Sequence, residues 1–197
     1  SVHQLLNVIA TRFFILDKKK KVKSLVSACA LCQSIAKLPT EIHNYKPNQM
    51  PEHPGQSFTV DVLKMASKTI LVATDNFSGF ISTTFTKSEK QEHLMEGIII
   101  TVVPFKAASV SKIRVDQAPG FKALVKKPQD LLDVGIVLEL GECKNKNSLS
   151  LVDNKMKELE QEMKKISPSN KIINTKILAR GTAAVNEKVS HQGLSAK

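Results

Sequence analysis

The feature that most constrains this chain is a change of hydrophobic period after residue 56. From Ser57 to Leu63 apolar and polar residues alternate, with Phe58, Val60 and Val62 on one side and Thr59 and Asp61 on the other. A period of two marks a strand with one buried face, because successive side chains point to opposite sides. Thr69–Thr74 follows as a compact β-branched run. Asp75-Asn76-Phe77-Ser78-Gly79 carries turn chemistry, and Phe80–Phe85 is β-rich again. Three antiparallel strands in a meander are expected. The pattern then alternates. A Ser88/Gln91 capping box opens a helix to about Val103, Lys112–Val115 reads as a strand, and Pro119–Lys126 as a short helix. Gly135–Leu140 reads as a fifth strand. Ser148–Ile166 reads as a long helix with Leu151, Met156, Leu159 and Met163 on its apolar side, and a last helix runs from about Asn174 to Val189. The order β-β-β-α-β-α-β-α-α implies an α/β fold, a mixed five-stranded sheet with helices on both faces.

Upstream the character differs. Residues 1–37 read as a helical appendage, with Leu5, Val8, Ile9, Phe13 and Leu16 at helical spacing, a lysine run Lys18–Lys21, and then Val22, Leu25 and Val26. Residues 38–56 carry Pro39, Pro47, Pro51, Pro54 and Gly55 in a polar stretch and read as a linker. Residues 57–197 are then the main domain.

The chain has 197 residues and a formal net charge of +11, which points to a polyanionic partner. Only 5% of residues are aromatic, so aliphatic side chains must fill the core. No apolar run approaches the roughly 18–20 residues needed to cross a bilayer, so no membrane association is expected. Three cysteines, an odd and low count, argue against a secreted disulfide framework and for a reducing compartment. The opening Ser-Val-His-Gln shows no signal segment and no initiator Met, so the chain is expected to be a piece of a longer protein. A Walker phosphate loop and a nucleophile-elbow pattern are both missing.

Three acids stand out by position. Asp61 lies in the first strand of the meander, opposite its apolar neighbours. Asp116 directly follows the fourth strand, and Asp153 lies in the first turns of the long helix. Two-metal phosphodiester chemistry needs hard oxygen ligands that hold two divalent cations about 3.5–4 Å apart. Carboxylates from two neighbouring strands and a packed helix can converge on such a pair.

The stretch from Phe58 to Ala196 resembles the integrase core of long-terminal-repeat retrotransposons, in the gypsy-like and BEL-like groups. Ser57-Phe58-Thr59-Val60-Asp61-Val62 is similar to the strand that carries the family's first acid. Arg114-Val115-Asp116-Gln117-Ala118-Pro119-Gly120-Phe121 resembles its strand, Asp, small turn and Phe. Lys144-Asn145-Lys146-Asn147, followed by Val152-Asp153-Asn154-Lys155-Met156-Lys157-Glu158-Leu159-Glu160, resembles its Asn-rich loop and third-acid helix. Asn186-Glu187-Lys188-Val189 and Gly193-Leu194-Ser195-Ala196 are similar to its tail. The resemblance implies an RNase H-like fold and a DNA strand transferase in which Asp61, Asp116 and Asp153 bind two Mg2+ or Mn2+ ions. It implies 3′-end processing and strand transfer, element ends and target DNA as partners, homo-oligomers, and a nuclear place of action with a cytoplasmic one otherwise. The family's usual third acid is Glu. Here the position holds Asp153, one methylene shorter, with Glu158 and Glu160 further along the helix. That departure leaves open an alternative, a decayed or domesticated integrase-derived DNA-binding protein.

The resemblance extends to the appendage, where the family carries a His-His-Cys-Cys zinc module. His3, Cys29 and Cys32 are the matching candidates, with the first family histidine expected upstream of Ser1. Without zinc, Cys29 and Cys32 are ordinary helix cysteines, and Cys143 reads as structural. Lys144, Lys146, Lys155 and Lys157 are the candidate DNA contacts, against the plainer role of solubilising an exposed helix face.

Overall fold

Strand β1 (Ser57–Met65) is the middle of a five-stranded sheet and takes a different kind of partner on each side. On one side, β2 (Lys68–Asp75) pairs with it antiparallel, and β3 (Ile81–Thr86) pairs antiparallel with β2. On the other, β4 (Ser111–Val115) runs parallel to β1, and β5 (Ile136–Leu140) parallel to β4, giving the order β3-β2-β1-β4-β5. This is the mixed sheet that the sequence order implies. The structure is a computed structural model that describes residues 2–10, 12–30, 51–107, 109–141, 150–167 and 172–188. Its helices are α1 (Val2–Ala10), α2 (Lys18–Ala28), α3 (Gln91–Val102), α4 (Pro119–Lys126), α5 (Gln129–Leu132), α6 (Ser150–Ile166) and α7 (Thr175–Asn186), with one 3-10 turn, Val103–Phe105, after α3.

The alternation in β1 sorts two cores onto opposite sheet faces. Phe58 and Val60 join Leu71, Ala73, Ile113 and Val115 beneath α3, α4 and α5, where Leu94, Ile98, Phe121, Leu124 and Leu131 are buried. On the other face Ile70, Val72 and Ile81 meet Val152, Leu159 and Met163 of α6 and Leu178 and Val185 of α7. Each such aliphatic side chain stabilises by roughly 1.5–3 kcal/mol on burial, which lets a core nearly without large aromatics hold. Gly120 is the tight point of the first layer. A Cβ there would run into the Glu89 carbonyl oxygen and approach Leu94 Cδ1 to 2.7 Å, so α4 can lie against the loop ahead of α3 only because this residue has no side chain.

Several elements differ from expectation for physical reasons. The first hairpin runs further than Leu63 and Thr69, because Met65 pairs with Lys68 across a two-residue turn. Its residues Ala66 and Ser67 have φ of 47° and 59°, the primed-turn geometry that usually asks for Asn-Gly. Replacing Ala66→Asn and Ser67→Gly together is expected to stabilise the fold by about 0.5–1 kcal/mol in denaturant titration, and a loss of stability would contradict the turn geometry. The Ser88/Gln91 capping box does not form, because the N-cap position falls at Lys90. Ser88 Oγ instead accepts the Lys90 N–H at 3.2 Å and bonds His93 Nδ1 at 2.8 Å. Helix α5 is unforeseen, since a single turn is too short to show periodicity, and the burial of Leu131 anchors it. The Asp75–Gly79 turn has the expected chemistry, with Asp75 accepting the N–H groups of Gly55 at 3.1 Å and Ser78 at 2.8 Å.

The chain divides into two compact units, Tyr45–Val185 and Ser1–Asn44 with Asn186–Lys197. In the N-terminal unit the helical stretch is interrupted at residues 12–17, and Asp17 takes φ 55° ahead of α2. Asp tolerates that left-handed geometry better than most residues. The lysine run therefore opens α2, where the helix dipole opposes positive charge. Residues 31–50, with most of the expected linker, lie outside the described residues, as does Gly193-Leu194-Ser195-Ala196.

Candidate functional site

The site grows from a length mismatch between two parallel strands. β4 stops at Val115, paired with Val60, while β1 continues to Met65 against β2 alone. Val60 and Val115 share the first core and pair with each other, and Asp61 and Asp116 are the residues that directly follow them. Asp61, on the overhang of β1, and Asp116, just past the carboxyl end of β4, thus come close together beside the crevice that α/β sheets open at strand ends. Asp116 is set by a turn in which its Oδ1 accepts the Ala118 N–H at 3.0 Å, just before Pro119 starts α4. Asp61 Oδ1 accepts the Val62 N–H at 2.7 Å.

The overhang of β1, the Asp116 turn and the start of α3 enclose a cleft of about 260 Å3, lined by Asp61, Val62, Lys64, Glu89, Leu94, Asp116, Ala118 and Phe121. Its floor is apolar, because Leu94 and Phe121 are buried. Burial raises the Asp61 carboxyl from the ordinary 3.8 to about 6; the Val62 hydrogen bond opposes this, and the charges of Asp116, Asp153 and Glu89 add to the rise. An acid with raised affinity for a proton, among like charges, is also one that a divalent cation would relieve.

Asp153 comes from the other layer. Val152, Leu159 and Met163 press α6 onto the sheet, and Asp153 is turned about 100° from Val152, on the flank of that stripe. It is half-buried and does not line the cleft, but its charge reaches Asp61. Among the described residues no group of three or more His, Cys, Asp or Glu is placed to hold one ion jointly. Asp116 and Asp153 both act electrostatically on Asp61.

The lysines of α6 separate around the helix. Lys155 is about 200° from Asp153; it leans on Gly79 and pairs with Glu158 at 3.4 Å. Lys157 lies one turn on from Asp153 on the same flank and is exposed. Glu160 is held by Lys164 at 2.5 Å and Glu162 by Lys165 at 2.8 Å, so Glu158, Glu160 and Glu162 are all in ion pairs. Lys144 and Lys146 lie outside the described residues, as do Cys32 and Cys143. His3 belongs to α1 and Cys29 is half-buried at the end of α2. Tetrahedral zinc needs four donors. Among the described residues no group of three such donors is assembled, and Cys32 lies outside them. A larger cleft of about 620 Å3 in the N-terminal unit is lined by Ile15, Asp17, Lys18, Lys19, Lys20 and Lys23, with a single carboxylate among its described lining residues. Lys64 and Glu89 escaped sequence reasoning, although Lys64 follows Asp61 by three residues on the same strand.

No family model matches this chain, and no curated protein matches it in sequence. Among solved structures it is similar to the catalytic core domain of BIV integrase, with a TM-score of 0.56 and 18% identity over 68% of this chain and 85% of that one. It is also similar to a chain of the simian T-cell lymphotropic virus intasome solved in complex with PP2A regulatory subunit B56 gamma. There the TM-score is 0.61 and the identity 16%, over 95% of this chain and 69% of that one. With the strand order and the two-faced packing, these likenesses establish that the core of this chain has the RNase H-like fold of retroviral integrase catalytic cores.

Proposed function

We propose that this chain is the core region of an integrase of long-terminal-repeat retrotransposon origin. It acts on DNA by metal-dependent 3′-end processing and strand transfer. The observation that carries this is the proximity of Asp61, on β1 just beyond its last pairing with β4, to Asp116, just past the end of β4, with Asp153 in electrostatic reach, on a fold shared with integrase cores. Two Mg2+ or Mn2+ ions, held by Asp61 with Asp116 and by Asp61 with Asp153, would supply nucleophile activation and stabilisation of the leaving oxygen. The chain's own part is placement. The β1–β4 register sets two carboxylates, and the apolar stripe of α6 fixes the third. Leu94 and Phe121 give the cleft an apolar floor, which strengthens charge interactions beside it. Lys157, on the Asp153 flank, is placed to meet a DNA phosphate, while Lys155 supports the Asp75–Gly79 turn beside it. Lys144 and Lys146 precede α6 in the sequence and are proposed as further DNA contacts.

DNA ends and target DNA are the proposed partners, and the net charge of +11 favours both. Homo-oligomeric assembly and nuclear action, with a cytoplasmic stage otherwise, belong to the same proposal; the neighbour from simian T-cell lymphotropic virus was itself solved in an intasome. No helix among the described residues is long and apolar enough to cross a membrane. The test is a strand-transfer assay in Mg2+ or Mn2+ with wild type and Asp116→Asn. Asp116→Asn is expected to remain folded by circular dichroism and to lose at least about 100-fold in rate. Equal rates in the two proteins would remove the catalytic reading.

A further inference from the structure

The cleft that receives DNA in this reading is short of positive charge. Asp61, Glu89 and Asp116 line it, and Lys64 is the one cation among its described lining residues. Lys64 lies on the part of β1 beyond the end of β4, where the strand has no neighbour on that side. Its ammonium sits 2.5 Å from a Glu89 carboxylate oxygen, and the two side chains are 70% and 37% exposed. Ion pairs this wet contribute little net stability, so Lys64 can leave its partner at small cost. A DNA phosphate competes well for it, because each phosphate neutralised releases condensed counterions. Glu89 itself is a poor neighbour for DNA, since it adds like charge at the mouth of an acidic cleft.

We propose that Lys64 is a DNA-phosphate contact of this site, stored on Glu89 in the free protein and transferred to a backbone phosphate when DNA binds. The proposal rests on the DNA-acting reading above and adds a positioning residue and its counter-charge. It predicts opposite signs for the two halves of one ion pair. In equilibrium binding of the full chain to a short blunt duplex across a salt series in EDTA, Lys64→Gln is expected to weaken binding about 3- to 10-fold. It should also reduce the slope of log affinity against log salt by about 1. Glu89→Gln is expected to tighten binding about 2- to 5-fold with the slope unchanged. Lys64→Arg should keep wild-type affinity and slope. In the Mg2+-dependent reaction, Lys64→Gln should raise KM for DNA and leave kcat within about 2-fold. A pair that only clasps the loop ahead of α3 is broken equally by either substitution and moves affinity one way in both. That result, or an unchanged slope in Lys64→Gln, overturns the proposal and leaves the DNA-acting reading intact. A wild type without salt-dependent DNA binding overturns both.

Discussion

Asp61→Asn is expected to abolish strand transfer while making the metal-free protein more stable. The carboxyl's affinity for a proton is raised on folding, from 3.8 to about 6, first by burial and then by the charges of Asp116, Asp153 and Glu89. The sign follows from linkage. Between those two values the folded state binds more protons than the unfolded state, so stability falls as pH rises through the window and stays low above it. Above pH 6 the ionised carboxylate therefore costs up to about 3 kcal/mol, and Asn, of nearly equal shape, removes that cost. The expected gain is about 1–3 kcal/mol at pH 7.5 in EDTA, shrinking toward zero below about pH 4. Excess Mg2+ should stabilise wild type more than Asp61→Asn, because only an ion that prefers the folded state shifts the equilibrium. Urea midpoints of both proteins at three pH values, with and without Mg2+, measure all of this. If Asp61→Asn is the less stable protein at pH 7.5 without metal, the crowded-carboxylate account of the site is wrong. A functional group that destabilises its own fold is the trade expected of a cleft prepared for cations.

The second large effect belongs to Phe121→Ala. Phe121 is 1% exposed, stands in the first core between sheet and helices, and lines the same cleft as Asp61. Truncation removes a large apolar side chain from a layer that includes the tight Gly120 contact and has little freedom to collapse. A loss of about 3–5 kcal/mol is expected in chemical denaturation, against roughly 1–2 kcal/mol for Phe121→Leu. Because Asp116 is set by the turn that leads into α4, the folded fraction of Phe121→Ala should also show weaker Mg2+ stabilisation than wild type. A cost under about 1 kcal/mol would mean that Phe121 does not hold this layer together.

Much of this was legible before any coordinates. The alternation from Phe58 to Val62 correctly sorted β1 into a core face and an acid-bearing face, since side-chain direction in a strand follows residue parity alone. The apolar stripe through Leu159 and Met163 likewise identified the buried side of α6, although Val152 rather than Leu151 proved to be its fully buried first member. Local rules failed where context displaced them. Ala66-Ser67 lacks the residues that announce a primed turn, yet strand pairing forces that turn on it. Ser88 is a sound N-cap residue, but the helix begins beyond it. Lys155 looked close to Asp153 along the chain, and the helical rotation of about 200° sends it to the Gly79 turn instead.

The amino-acid sequence alone determined most element types, the parity of Asp61 on its strand and the order β-β-β-α-β along the chain, because these follow from short-range periodicity. Only the tertiary structure decided which charges share a pocket. The Val60–Val115 register, the early end of β4 and the rotation of α6 bring Asp116, Asp153, Glu89 and Lys64 into the surroundings of Asp61. Those are long-range pairings, and Coulomb energy depends on separation in space, which spacing along a chain does not contain.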